Sequence, residues 1–136
     1  MPAHLTLFSQ LPPGIERELG QRLATYAAAS APRARLTGIM DMGGGTAFRV
    51  ESEELADIRE DLAQALHGLL SAQDRGPWSP HVTVQNKVET RAAKALQAML
   101  RGTFISQPLA VKGLASWRYV GGPWEPIRRH MFRGSA

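Results

Sequence analysis

Two short runs of one kind, His4-Leu5-Thr6-Leu7 and His81-Val82-Thr83-Val84, open two stretches of chain whose patterns then repeat element for element. Each is followed by a helical pattern, a strand-like run, a glycine turn and a second strand-like run, over 4–51 and again over 81–132. The offsets agree as well: Gly44 lies forty residues after His4, and Gly121 forty after His81. This reads as an internal duplication. It narrows the fold to an α+β class in which two similar halves meet about a pseudo-two-fold axis. Helices alternating with hairpins would explain the shared order alone, but not the matching His-x-Thr openings.

Within the first half, Leu11-Pro12-Pro13-Gly14 breaks the chain ahead of a helix carrying Ile15, Leu19, Leu23 and Tyr26 on one side, with Pro32 beyond it. Strands are predicted over 35–41 and 47–51, joined by Gly43-Gly44-Gly45, where positive backbone angles come at low cost. Ser52 followed by Glu53 and Glu54 suits a helix start, and Leu55, Ile58, Leu62, Leu66 and Leu69 form a stripe that predicts a helix over 53–70. A polar loop, 71–79, leads into the second His-x-Thr run. Asn86 and Glu89 stand at capping-box-like spacing before a helix whose predicted buried face holds Ala92, Leu96 and Met99. Two last strands, over 109–119 and 124–132, flank Gly121-Gly122-Pro123.

The chain of 136 residues supports one domain, 1–136, with room for a core shared by two lobes. No apolar run is long enough to cross a bilayer, and His4 follows Met1 too closely for a leader peptide, so a cytoplasmic location without membrane attachment is expected. The absence of cysteine removes disulfides, thiolate ligands and a thiol nucleophile. Any hydrolytic chemistry must use oxygen, imidazole or amine groups. A formal charge of +4 and a pI near 10.1 favour polyanionic ligands, although the arginines are scattered enough to be plain solvated surface.

A strand repeats every two residues, so His4 and Thr6 share one face while Leu5 and Leu7 take the other. Val82 and Val84 likewise fix a strand that presents His81 and Thr83. With four histidines and seven threonines in the chain, composition predicts about 0.2 His-x-Thr pairs by chance, so one pair is unremarkable and two in equivalent places are not. Two imidazoles suit a reaction that takes a proton from one oxygen and gives one to another near neutral pH. Opening a cyclic phosphodiester is such a reaction, with Thr6 and Thr83 holding the charged non-bridging oxygens. No metal or other cofactor is implied, since two histidines without a carboxylate cluster make a poor metal site.

The runs Pro2-Ala3-His4-Leu5-Thr6-Leu7 and Ser79-Pro80-His81-Val82-Thr83-Val84 resemble the paired motifs of the two-histidine (2H) phosphoesterase superfamily, in particular its bacterial 2'-5' RNA ligase-like branch. The stretch from Trp117 to Pro126 also resembles that branch's closing hairpin. The resemblance implies a bilobal fold: two pseudo-symmetric lobes of antiparallel sheet, helices packed outside, and a central cleft between them. It implies action on RNA or nucleotides bearing 2',3'-cyclic phosphates or 2'-5' linkages. His4 and His81 become the acid/base pair and Thr6 and Thr83 the phosphate binders, with the order of acid and base, and hydrolysis against ligation, left open. Family members usually carry a strand and helix before the first motif, whereas here the motif starts at residue four: either the given start is late or the element is absent, and its absence would leave a sheet edge for a homodimer to cover.

Other residues have competing roles. Trp117, Tyr119 and Trp124 could stack a base, but hairpin or core packing also explains them. Arg118, Arg128 and Arg129 could draw phosphates in or be solvated. His67 falls off its helix stripe and should face solvent, while His130 lacks a matching threonine and reads as structural. The glycine turn at 43–45 has no following helix start or lysine and is not a P-loop. The alternative to an enzyme is a non-catalytic module that binds an RNA or nucleotide phosphate through the same four residues. A metallohydrolase built on His4 and His81 is the weakest reading.

Overall fold

The computed structural model describes residues 3–119 and 121–133, so Pro2 of the first motif and Val120 of the closing hairpin lie outside it. After a 3-10 turn at Pro13–Ile15 come α1 (Glu16–Ala27), β1 (Ala34–Asp41), β2 (Thr46–Glu51), α2 (Glu53–Ala65) and a single-turn α3 (Ala72–Arg75). They are followed by β3 (His81–Gln85), α4 (Thr90–Thr103), β4 (Gln107–Leu109), β5 (Gly113–Arg118) and β6 (Glu125–Met131). One sheet runs β3-β2-β1-β4 and the other is the β5-β6 hairpin, every pairing antiparallel. The chain is α+β, with α1 packed on the second sheet and α4 on β1 and β2 of the first.

Local chemistry accounts for these elements. At the head of α2, the Ser52 hydroxyl accepts the Leu55 amide at 3.1 Å and donates to the Arg33 carbonyl at 2.6 Å, so one side chain caps the helix and ties it to the residue just ahead of β1. Glu16 and Glu18 lie in the first turn of α1, where carboxylates complement the helix dipole. At the β1–β2 turn, Gly43 adopts a φ of +79°, and Gly45 is required for a different reason: a Cβ there would lie 2.2 Å from the Gln85 carbonyl oxygen. The Gly43 amide and Gln97 both donate to the Asp41 carboxylate and hold it below the usual carboxylate range.

Two clusters make up the core. Leu23, Leu62 and Leu114 anchor the first, with Leu7, Phe8, Leu19, Tyr26 and Ile58 against them. Ala34, Val50 and Leu55 anchor the second, joined by Leu5, Leu36, Trp78, Val82 and again Ile58. Leu62 is 1% exposed, and burying a leucine so completely stabilises by about 1.5–3 kcal/mol.

Several expectations from sequence need correction. The helix expected over 53–70 ends at Ala65, Leu69 is 43% exposed beyond it, and the loop expected at 71–79 contains α3. The strand expected over 109–119 is two strands in different sheets, β4 and β5. Before α4, Glu89 occupies the cap position without a side-chain bond, so the Asn86/Glu89 capping box does not form. The buried face of α4 is set one residue later than expected, at Ala93 and Gln97, and Met99 is 64% exposed. The reason is polar. The Gln97 amide donates to Asp41 Oδ1 at 3.2 Å, Gly45 O at 3.2 Å and Thr46 Oγ1 at 3.4 Å, and the small Ala93 lets the helix come close enough to make those bonds.

Candidate active site

The second His-x-Thr run is β3, paired on one side with β2 in the register Ala47↔Thr83, Phe48↔Val82 and Arg49↔His81. The other side of β3 meets the first run at a single antiparallel bridge, Leu5↔Val82. The first run is therefore not a full strand, as alternation alone predicts; it is an extended segment that touches the sheet at one residue pair. Leu5 and Val82 both point into the second core cluster. Val84, expected to be a core anchor, is instead 46% exposed.

That bridge fixes the geometry of the candidate residues. Residues facing one another across an antiparallel pair share a face, and stepping one position either way from Leu5↔Val82 sets His4 opposite Thr83 and Thr6 opposite His81. Directly opposed Cβ atoms lie about 4.5–5.5 Å apart and diagonal ones about 7–8 Å. That register would set the four Cβ positions two by two on one face, the two histidines on a diagonal. His4, Thr6 and Thr83 are exposed or half-buried and His81 is half-buried, so all four are open to solvent while the leucine and valine between them are held in the core.

The ring of His81 is oriented by its own strand entrance. Its Nδ1 lies 2.8 Å from the Ser79 carbonyl oxygen, which can only accept, so Nδ1 carries the proton and Nε2 is the atom left to react. In the neutral ring Nε2 is a base; protonated, it is an acid. His4 makes an interaction of its own as well.

Sequence reasoning missed Arg49. It stands directly across β2 from His81 and on the same face, and it is exposed. Gly38, opposite it on β1, makes room for the guanidinium: a Cβ there would lie 3.1 Å from Nη1. Its place beside a histidine is invisible without knowing that β2 and β3 pair. The residues that were singled out on the hairpin lie elsewhere. Arg118 donates to Glu16 at 2.7 Å, Tyr119 and Trp124 pack on each other with ring centroids 5.1 Å apart, and His67 is exposed. Arg128, Arg129 and His130 line a groove of about 770 Å³ between α1 and β6 that includes no motif residue. Among the described residues, no three His, Cys, Asp or Glu side chains gather as a metal site would require, and no helix is long and apolar enough to cross a membrane.

The family model of the 2'-5' RNA ligase superfamily matches residues 1–123. The chain belongs to that superfamily. An RNA 2',3'-cyclic phosphodiesterase of Geobacillus stearothermophilus is 34% identical over 98 residues, covering 65% of this chain and 31% of the relative. The chain thus spans about a third of that relative's length. TT0787 of Thermus thermophilus, known from a crystal structure, superposes over 98% of this chain and 80% of its own with a TM-score of 0.65 at 20% identity, which establishes a shared fold. The two-histidine phosphoesterase membership and the bilobal α+β fold expected from the paired motifs therefore hold.

Proposed function

We propose that this 2'-5' RNA ligase superfamily member opens 2',3'-cyclic phosphate ends of RNA or nucleotides, with His4 and His81 as the proton-transfer pair. The observation that supports this reading is the Leu5↔Val82 bridge, whose antiparallel register brings the two motif segments side by side with His4 across from Thr83 and Thr6 across from His81. One neutral imidazole takes a proton from water as the water oxygen attacks phosphorus. The other, protonated, gives its proton to the departing ribose oxygen, and a phosphomonoester with one free hydroxyl results. Thr6 and Thr83 donate to the non-bridging oxygens where negative charge grows, and Arg49, beside His81, offsets that charge. If a ribose hydroxyl replaces water as the attacking group, the same proton transfers join two ends through a 2'-5' linkage. The named activity of the Geobacillus relative supports this choice of substrate.

The test is phosphorus NMR on a 2',3'-cyclic nucleotide and on RNA ending in a cyclic phosphate. The wild-type chain should convert the cyclic signal to a monoester. His4→Ala and His81→Ala should each slow that conversion by about 10²–10⁴-fold with the circular dichroism spectrum unchanged. Salt-sensitive binding without any product would replace this reading with the phosphate-binding module.

A further inference from the structure

The single bridge at Leu5 leaves most of the first motif's backbone outside the sheet ladder, and side chains take its place. The indole Nε1 of Trp78 donates to the Thr6 carbonyl at 3.0 Å. Arg59 Nε, from α2, donates to the Leu7 carbonyl at 2.9 Å. The Asp74 carboxylate, on a residue only 4% exposed, accepts the amides of Ser9 at 2.8 Å and Gln10 at 3.0 Å. These bonds come from α2 and from the segment running straight into the second motif.

Arg59 is common to both sides. Besides Leu7 it grips the Asp74 carbonyl through Nη2 at 2.9 Å. Its guanidinium carbon lies 4.7 Å from the Phe8 ring centre and 5.2 Å from that of Trp78, so the cation contacts both an aromatic of the first motif's segment and one leading into the second. A few residues further, Ser79 orients the His81 ring. The segment 74–81 therefore holds the backbone of 6–10 through Asp74 and Trp78, and the ring of His81 through Ser79.

We infer that Arg59, together with Asp74 and Trp78, is a positioning device that sets His4 and Thr6 against His81 and Thr83. The inference rests on the proposed acid/base reading for its effect on rate. None of the three touches the reacting atoms. They fix the spacing between the first motif's segment and β3, where a displacement of about 1 Å can cost of order 10²-fold in rate. Lysine cannot replace Arg59, because an ammonium has neither the planar fork that reaches two carbonyls nor the flat face that can lie against aromatic rings.

The test uses Arg59→Lys, which keeps the charge, and Trp78→Phe, which keeps the ring and deletes one donor. Two readouts are taken: kcat and KM on a 2',3'-cyclic nucleotide, and the cross-strand nuclear Overhauser effect between Leu5 and Val82. Both variants should weaken or abolish the Leu5–Val82 signal while that between Phe48 and Val82 persists. Their kcat should fall by about tenfold or more, with KM within about threefold. Ser52→Ala, which loosens the cap of α2 away from the site, should keep the wild-type kcat and thereby separates positioning from a general loss of stability. An intact Leu5–Val82 signal in Arg59→Lys, or an unchanged kcat, overturns the inference. A wild-type chain inactive on every cyclic phosphate, with Arg59→Lys still abolishing the Leu5–Val82 signal, would instead refute the proposed activity and leave the holding role standing.

Discussion

Asp74→Ala removes the most deeply buried carboxylate among the described residues and, with it, two hydrogen bonds from the Ser9 and Gln10 amides. Hydrogen bonds to a charged acceptor contribute about 1.5–3 kcal/mol each, which brackets the loss at about 3–6 kcal/mol. Ser9 and Gln10 are exposed, so water can reach the freed amides, and the lower end applies: about 3 kcal/mol. For a chain of this size that corresponds to a fall in Tm of about 10 °C. Asp74→Asn keeps one accepting oxygen and turns a donor toward the other amide, so it should cost at least half as much. Urea unfolding reads the effect as a lower midpoint at constant slope, and hydrogen exchange should accelerate first at Ser9 and Gln10. A cost below about 1 kcal/mol for the alanine variant, with exchange at those two amides unchanged, would refute the claim that Asp74 fastens the first motif.

Arg49→Ala should raise KM for a cyclic-phosphate RNA several-fold and flatten the dependence of KM on salt, read from initial rates at two ionic strengths. Tyr26 hydrogen-bonds to Asp61 across α1 and α2, and burial first, then that carboxylate, push its phenol from 10.0 up to about 12. A group that holds its proton more tightly when folded stabilises fully below the unfolded value. Stability should therefore fall as pH rises from about 10 through 12, and Tyr26→Phe should flatten that decline in urea titrations. Ser52→Ala should destabilise by about 1 kcal/mol through loss of the α2 cap, measured by thermal denaturation.

The helices and hairpins were legible because their signals are local. Ser52 with the two acids after it announced α2, and the spacing of Leu19, Leu23 and Tyr26 announced the inner face of α1. His81 and Thr83 could be assigned to one face from alternation alone. What sequence could not supply was pairing. The meeting of Leu5 with Val82, and of Arg49 with His81, depends on which strands become neighbours, and no periodicity in one segment reports that. Arg59 and Asp74 were missed for a related reason: a charged residue on a helix or in a polar loop reads as solvated surface until the backbone it binds, here more than fifty residues away for Arg59 and Leu7, is brought against it. In α4, Gln97 was passed over because a polar residue is not expected on a buried face, yet its three bonds place that face.

Ile58 packs into both core clusters from one side of α2. A side chain shared in this way works as a rivet: neither lobe can melt without stripping apolar cover from the other, so heating the intact chain should yield one sharp calorimetric peak. Shortening that rivet with Ile58→Ala should pull the peak toward two overlapping ones, and the half bearing β5 and β6, a two-stranded sheet among the described residues, should let go first.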